Sequence, residues 1–300
     1  MNEAALLAAC RRLAATLGLG AVQPQVIGRH SNLVVHLAPS PWVLRVATGT
    51  AGPRAQGGHA ERELRLLRHL AERGAPALPP APRALAGPHR VDGWSMTLWP
   101  LLALAPQPPE PQAAGRALAQ CHAELAALPH RGRDDDRPWA PLDEALRLLA
   151  HPLVRQRAAA PDLALVGQRL QALAERLRAH PAPLQWLHGD AHRQNVRQGT
   201  GGALWLDWED ACLGPLEWDL AGLVAASRVL GQEGDWPEAA LAGWRSVGRP
   251  VDEALLADCI EARTAFVCAW IWWLGPNDPL RAPRLAGRLQ WLRAKNPGLS

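Results

Sequence analysis

The sequence is poor in several residue types that other classes of protein need. Its 300 residues include no tyrosine, one phenylalanine, two methionines and a single lysine, Lys295. Arginine or histidine must therefore fill any other position that requires a cationic side chain. No apolar run reaches the roughly 18 residues of a membrane-spanning helix. The richest apolar stretch, Phe266 to Leu274, is about half that long, so we expect a buried helix there and no membrane partner.

Cysteine is also scarce and irregularly spaced. The five cysteines include no CxxC pair, which argues against a disulfide framework or a zinc knuckle and favours buried free thiols. The amino-terminal segment carries Glu3, lacks a basic leader region and has helical periodicity instead of a signal-peptide core. These features together predict a cytoplasmic protein.

The formal net charge of +4 raises the question of a nucleic-acid partner. The arginines are spread along helical patterns that also carry acids, as in Glu61-Arg62-Glu63-Leu64-Arg65, and no basic block is present. Nucleic-acid binding is therefore not expected.

Strand patterns are concentrated in the first third of the sequence and helical patterns in the rest, which predicts an α+β fold with two lobes around a cleft. A proline-rich stretch without periodicity, residues 102–112, separates the two parts. We predict a small β-rich N-lobe at 1–101 and a larger, mainly helical C-lobe at 102–300. The predicted strands are 25–36, 42–47, 94–99, 184–187 and 204–208, and the predicted helices are 3–17, 59–73, 113–128, 142–151, 163–180, 218–230, 236–247, 252–274 and 280–294.

The densest group of polar residues is the segment LHGDAHRQNV, residues 187–196. It contains Asp190 and, five residues later, Asn195; Asp207 follows twelve residues after Asn195, at the end of an apolar strand pattern. One acid at a strand end is commonly only a cap or a turn residue. The combination of two aspartates and an asparagine at these spacings points to a catalytic site.

Phosphoryl transfer explains this combination. The attacking hydroxyl needs one carboxylate to accept its proton and align it, and a nucleoside triphosphate needs Mg²⁺, which prefers carboxylate and amide oxygens. The kinase catalytic loop has the spacing H-x-D-x-x-x-x-N, which His188, Asp190 and Asn195 match. Asp207 stands where a second, metal-binding aspartate should follow.

The two segments HGDAHRQN and LWLDWED resemble the aminoglycoside phosphotransferase and choline kinase superfamily, whose signature is HGDxHxxN followed by IDxE or IDxG. The resemblance implies a protein-kinase-like two-lobed fold that uses ATP, or alternatively GTP, with Mg²⁺. It implies Asp190 as the catalytic base and Asn195 and Asp207 as magnesium ligands. It also implies structural support of the loop by His188 and Asp219.

The resemblance extends into the N-lobe, over roughly residues 20–225. The segment IGRHSN resembles the GxxSN phosphate loop of the family, whose backbone amides cover the β- and γ-phosphates, with Gly28, Ser31 and Asn32 at the matching positions. A hairpin turn would look the same. Arg45 stands where the α/β-phosphate cation is expected, and Glu63 resembles the helix acid that pairs with that cation, with Glu61 as the near alternative. Arginine can bind phosphate with two hydrogen bonds.

The acceptor is the least specified part of the function. A polycationic aminoglycoside would need acids, for which Glu209, Asp210 and Glu261 are the candidates, although a solvated helix face is the simpler explanation for most acids of the C-lobe. A quaternary ammonium could instead contact aromatic rings that share one face of a helix, namely Phe266, Trp270 and Trp273. The expected acceptor is an aminoglycoside-like or other small hydroxylated compound, and the alternatives are choline, homoserine, thiamine or a sugar.

Two other functions compete for the same residues. His188, Asp190 and His192 have a spacing that can bind zinc in a hydrolase, but this leaves Asn195 and Asp207 without a role. A catalytically silent relative that only binds nucleotide is the other alternative.

Overall fold

An antiparallel sheet and two longer helices form the smaller lobe of the computed structural model, which describes residues 2–29, 31–54, 58–103, 105, 107–129 and 136–295. The five strands have the spatial order β1-β2-β3-β5-β4. They are β1 (Gln23–Arg29), β2 (Asn32–Ala38), β3 (Trp42–Ala47), β4 (His89–Val91) and β5 (Trp94–Pro100), and the helices are α1 (Glu3–Thr16), α2 (His59–Glu72) and the short α3 (Arg83–Ala86).

The stretch 25–36, predicted as one strand, is instead a hairpin of two strands. Arg29 pairs with Leu33, and the register between β1 and β2 shifts between Val26 and Gly28. The stretch has no clear alternation of apolar and polar residues, since Val26 and Ile27 are adjacent and so are Leu33, Val34 and Val35, so periodicity alone does not reveal the reversal. His30, at the tip of the expected phosphate loop, lies outside the described residues.

The helix α2 has the amphipathic pattern predicted for residues 59–73. Leu64, Leu67 and Leu70 are almost completely buried in the core, as expected for apolar residues that recur at helical spacing. The same helix carries Glu63, which is fully buried in spite of its charge. A buried carboxylate requires a partner, and this one faces the cleft between the lobes.

The larger lobe is mainly helical, which confirms the predicted α+β class. Among the described residues, the helix that begins at Pro111 follows the ten residues after β5, in agreement with a change of architecture in this region. The exact boundary at residue 101 stays a prediction. The helices are α4 (Pro111–Ala126), α5 (Ala140–Ala150), α6 (Pro152–Arg157), α7 (Ala160–Ala179), α8 (Leu216–Leu230), α9 (Trp236–Arg245), α10 (Glu253–Leu274) and α11 (Ala282–Ala294).

Four short strands carry the polar segment in the larger lobe. β6 (Gln185–Leu187) pairs antiparallel with β9 (Cys212–Gly214), and β7 (Val196–Gly199) pairs with β8 (Gly202–Trp205). Strands near β6 and β8 were predicted from short apolar runs, whereas β7 (VRQG) and β9 (CLG) were not, because they lack such a run. The two pairs hold both ends of the segment that contains the candidate site.

The long helix α10 crosses the interior of the larger lobe. Most of its residues are buried, including Phe266 and Trp272, as predicted for this apolar stretch. In the part of the chain that the structure describes, no helix has both the length and the apolar character needed to span a membrane. All five cysteines are buried free thiols.

Candidate active site

The polar segment 188–195 lies directly after β6 and ends in a single turn of 3₁₀ helix, Arg193–Asn195. Gly189 has φ of +84°, and a Cβ atom there would lie 1.8 Å from the carbonyl oxygen of Asp210. Only glycine fits this backbone conformation and this close approach. The loop is therefore pressed against the segment that follows Asp207.

Asp219, at the start of α8, binds the backbone of this loop. Its Oδ2 accepts a hydrogen bond from the backbone N–H of His188 and its Oδ1 accepts one from that of Gly189, each at 2.8 Å. Nε2 of His122 lies 2.9 Å from Oδ2 of Asp219, and Nδ1 of His122 accepts from the indole N–H of Trp244 at 3.0 Å. Burial opposes ionisation of Asp219, but these donors hold its pKa below its ordinary value.

Substitution of Asp219 by alanine is expected to destabilise the fold by roughly 3 kcal/mol or more, because it leaves buried donors without an acceptor. Since the pKa of the folded-state carboxyl is lowered, the ionised group contributes stability above its unfolded pKa of about 3.9, and this contribution is lost as the pH falls through the lower folded value. Denaturant unfolding of Asp219→Ala and wild type at several pH values measures the loss of stability and its dependence on pH. A difference that grows as the pH falls below 4 would contradict this account.

His188 contacts the loop through both ring nitrogens, and its role as structural support stays a prediction. Its ring is fully buried, Nε2 lies 2.8 Å from the carbonyl oxygen of Leu206, and Nδ1 accepts from the backbone N–H of Asp190 at 3.2 Å. Burial is the main cause of a lowered pKa, so the ring is neutral. Both ring nitrogens are engaged by the protein, which leaves His188 unable to bind the zinc ion of the hydrolase alternative.

Asp190 lies at the centre of three polar contacts and still reaches the cleft. The guanidinium of Arg263 binds Oδ1, while Nε2 of His192 lies 3.1 Å and Nδ2 of Asn195 3.3 Å from Oδ2. The side chain remains 31% exposed. Burial raises the pKa of Asp190, but His192 and Arg263 outweigh it and hold that pKa well below the usual range. The carboxylate is therefore ionised and oriented.

Asn195 and Asp207 are brought together by the backbone. Leu206 donates its N–H to the carbonyl oxygen of Asn195 at 2.8 Å. Nδ2 of Asn195 donates to the backbone carbonyl of Asp190 at 2.9 Å, which leaves Oδ1 of the amide as the group available to a cation. Asp207 has left-handed backbone angles, φ 60° and ψ 65°, and its side chain is 42% exposed. One amide oxygen and one accessible carboxylate fit Mg²⁺, which binds few protein ligands and completes its shell with phosphate and water oxygens.

Arg45 joins the lobes at this point. On β3, its guanidinium binds both carboxylate oxygens of Glu63, and Nη1 also donates to Oδ1 of Asp207 at 2.8 Å. Burial opposes the charge of Arg45, but Glu63, Glu209 and Asp207 raise its pKa above the ordinary value. Glu63, rather than Glu61, is the acid that contacts this cation.

Asn32 connects the β1–β2 hairpin to Glu209 and to the segment after β3 by hydrogen bonds. Its Nδ2 donates to Oε2 of Glu209 at 2.6 Å, and its Oδ1 accepts from the backbone N–H of Thr48 at 3.2 Å and the hydroxyl of Thr50 at 3.0 Å. The backbone carbonyl of Ser31 accepts from the N–H of Gly49 at 2.7 Å. The hairpin is thus held by the segment after β3 and by the residue two positions beyond Asp207.

The three acids that sequence analysis assigned to an acceptor each have a partner in the protein. Glu209 binds Asn32, and burial followed by repulsion from Asp207 raises its pKa to about 8. Asp210 binds the guanidinium of Arg54 at 2.5 Å. Glu261 accepts from Nε of Arg169 at 2.7 Å, on the side of α10 that packs on α7. Their role as acceptor contacts stays a prediction.

The three aromatic residues proposed as a cation cage are only partly assembled. Ring centroids of Phe266 and Trp270 lie 6.5 Å apart, but Trp273 packs instead against His151, at 5.0 Å. The face of Trp270 is covered by Arg54, whose Cζ lies 4.8 Å from the ring centroid. The cation at this ring therefore comes from the protein itself.

Sequence analysis missed Arg263, Arg54 and His122. Arg263 is 3% exposed at the start of the apolar half of α10, and a buried arginine there is a signal that a buried acid lies opposite. Arg54 and His122 had no comparable signal, because one lies in an irregular loop and the other in an ordinary amphipathic helix.

Comparison with known proteins identifies a matching family and several similar structures. Residues 24–259 match the phosphotransferase enzyme family. No curated protein matches the chain in sequence. Among solved structures, an amicoumacin kinase in complex with AMP-PNP, Ca²⁺ and its ligand is similar at 15% identity over 99% of this chain and 97% of that one, with a TM-score of 0.71.

Two further solved structures have the same fold. Choline kinase from Streptococcus pneumoniae is 12% identical over 96% of this chain and 99% of its own, with a TM-score of 0.68. A choline/ethanolamine kinase family protein from Mesorhizobium loti is 20% identical over 94% and 92%, with a TM-score of 0.62. These similarities establish the shared two-lobed, protein-kinase-like architecture.

Proposed function

This chain belongs to the phosphotransferase enzyme family, and we propose that it transfers the γ-phosphoryl group of ATP to an alcohol hydroxyl of a small molecule. The observation that carries the proposal is the cluster at the cleft: an ionised, oriented Asp190 lies within hydrogen-bonding distance of Asn195, which is itself bonded through its backbone to the residue before Asp207. A zinc hydrolase does not explain Asn195, Asp207 or the Arg45–Glu63 ion pair.

Asp190 would accept the proton of the acceptor hydroxyl. Its pKa is low, so it attracts the proton only weakly in the ground state, and its main contribution is to align the hydroxyl with the phosphorus atom. This suits a loose phosphoryl-transfer transition state, in which positioning and charge stabilisation provide most of the rate gain. Arg263 and His192 keep the carboxylate in one orientation.

Arg45 would bind the α- and β-phosphate oxygens, with Glu63 fixing its position. In the present structure Arg45 also binds Asp207, and a triphosphate would compete for that contact. The backbone amides near Gly28, Ser31 and Asn32 would cover the β- and γ-phosphates. Mg²⁺ held by Asn195 and Asp207 supplies positive charge at the phosphate oxygens.

GTP is the alternative phosphoryl donor. The acceptor classes suggested by the sequence are aminoglycoside-like compounds, and choline, homoserine, thiamine or sugars. We further propose that the protein acts in the cytoplasm.

Mg²⁺-dependent consumption of ATP and GTP by the purified protein, measured with each of these acceptors, tests the function. Turnover with one acceptor that disappears in Asp190→Ala would support it. Nucleotide binding without turnover would favour the catalytically silent alternative, and absence of nucleotide binding would refute the proposal.

Replacement of Arg263 by glutamine is expected to lower kcat by roughly tenfold or more, because the variant removes the cation that holds Oδ1 of Asp190 in one orientation. Steady-state kinetics at saturating ATP and acceptor measure the effect. Arg263→Lys retains the charge and should lose less activity. An unchanged kcat in Arg263→Gln would show that Arg263 does not act through Asp190.

A further inference from the structure

Arg54 is a buried arginine that the proposed chemistry does not use. It lies between β3 and α2, and its side chain is only 7% exposed. Its Nε and Nη2 bind the two carboxylate oxygens of Glu144 at 3.0 and 3.2 Å, and Nη2 binds Asp210 at 2.5 Å. Oε1 of Glu209 lies 3.7 Å from Nη1. Burial opposes the charge of Arg54, but these acids, Asp210 first among them, raise its pKa well above the ordinary value.

Carboxylates and an indole surround this one guanidinium. The ring of Trp270 covers its face, with Cζ 4.8 Å from the ring centroid, and Glu144 and Asp210 bind its edge. Carboxylates around the edge of a cation and an aromatic ring on its face are the features by which proteins bind organic cations. The structure therefore contains a built cation site, and Arg54 occupies it.

This site lies close to Asp190 along one face of α10. Arg263, which binds Asp190, and Trp270, which covers Arg54, are seven residues apart, and residues at that spacing lie on the same face of a helix, roughly 10 Å apart. Phe266 lies between them on this face. Gly189, the neighbour of Asp190, lies against the backbone of Asp210, where an added Cβ would be 1.8 Å from the carbonyl oxygen, and the side chain of Asp210 binds Arg54. Arg54 is therefore close to the loop that carries Asp190.

The cavity beside Arg54 does not have more carboxylates than arginines in its lining. A cavity of about 420 Å³, within the usual range for small-molecule sites, is lined by four arginines and three carboxylates. Two of these carboxylates, Glu144 and Asp210, already bind Arg54, and the third, Asp143, binds Arg178 at 2.5 Å. A polycation entering here would meet carboxylates that the protein's own arginines already bind.

We propose that Arg54 determines acceptor specificity: it fills the organic-cation site next to the catalytic base, so that the acceptor is an alcohol without a cationic group at this position. The inference rests on the proposed kinase function and narrows it. It disfavours aminoglycosides and choline, and it favours uncharged or anionic alcohols.

Calorimetric titration of the full chain with tetramethylammonium and methylguanidinium, at constant ionic strength, tests the site without any turnover. Wild type is expected to show no saturable binding. Arg54→Ala opens the site and should bind both cations saturably. Methylurea, the uncharged relative of methylguanidinium, should bind neither protein.

Arg157→Ala is the matched control, because Arg157 binds only backbone carbonyl groups at the end of α10, that of Trp272 at 3.1 Å and that of Trp273. It leaves no carboxylate unpaired and should not create cation binding. Arg54→Gln, which keeps a donor toward the carboxylates, provides a second variant if Arg54→Ala does not fold. Saturable cation binding by wild type, or none by a folded Arg54 variant, would overturn the proposal.

Acceptor kinetics then test the specificity. Choline is compared with its uncharged analogue, in which carbon replaces the nitrogen. The kcat/KM for choline divided by that for the analogue should be higher in Arg54→Ala than in wild type. Efficient phosphorylation of choline or an aminoglycoside by wild type would refute the role of Arg54. If no acceptor is phosphorylated at all, the kinase function fails, and the cation titration still decides whether Arg54 fills a cation site.

Discussion

Asp190→Ala is expected to lower kcat by roughly 10²- to 10⁴-fold, the usual contribution of a positioned general base, while the affinity for ATP stays nearly unchanged. The reason is positional: Asp190 reaches the cleft with its carboxylate, whereas Arg45 and the β1–β2 hairpin are the groups placed to contact the phosphates. Steady-state kinetics at saturating acceptor and equilibrium binding of a non-hydrolysable ATP analogue measure the two effects separately.

Loss of the carboxylate also leaves the buried guanidinium of Arg263 without its partner, so unfolding of the variant must be measured in parallel. Asp190→Asn retains the shape of the side chain and removes only the charge, and it should lose nearly as much activity. Asp258→Ala is a suitable control, because Asp258 forms a comparable carboxylate–arginine pair with Arg176 at the surface. Unchanged turnover in Asp190→Ala would refute the assignment of the base.

Asp207→Ala is expected to weaken nucleotide binding in the presence of Mg²⁺ by roughly 10²-fold or more, because loss of a group that only orients a metal ligand already costs 10- to 100-fold. Asp207 is the accessible carboxylate of the pair that would hold the ion, and Asn195 offers one amide oxygen. The Mg²⁺ concentration needed for half-maximal activity should rise in the same variant.

The comparison that isolates the metal is nucleotide binding with and without Mg²⁺. In its absence, Asp207→Ala should bind ATP no more weakly than wild type does, since Arg45 keeps its ion pair with Glu63 and no longer has Asp207 as a competitor for the phosphates. Asp207→Asn keeps one oxygen ligand, so its nucleotide affinity in the presence of Mg²⁺ should lie between those of wild type and Asp207→Ala. Equal losses with and without Mg²⁺ would show that Asp207 acts on the nucleotide by a route other than the metal.

Local spacing was sufficient to locate the core of the site. Asp190 and Asn195 lie in one loop, and Asp207 follows the next hairpin, so a short stretch of chain brings all three to the cleft. The helix α2 was predictable for a similar reason, since its leucines recur at the helical period. The hairpin between β1 and β2 was partly missed because the apolar residues on either side of the turn show no clear period.

Contacts between distant segments could not be predicted. Nothing near Asn32 indicates that its amide binds Glu209, 177 residues away, and nothing near Asp190 indicates that Arg263 lies against it. These pairs depend on how α8, α10 and the sheet pack, because a charged group moves into the interior only where the whole fold places an opposite charge beside it.

The sequence by itself determined the fold class and the phosphotransferase chemistry and pointed to a candidate catalytic loop, because these depend on periodicity and on residues close together in the chain. Only the tertiary structure decided what surrounds that chemistry. Arg54, Glu144, Asp210 and Trp270 come from four separate elements, and the sequence shows them as unrelated charges and one apolar residue. Their packing places an arginine in the site where an organic cation could bind, and it is this packing that bears on the choice of acceptor.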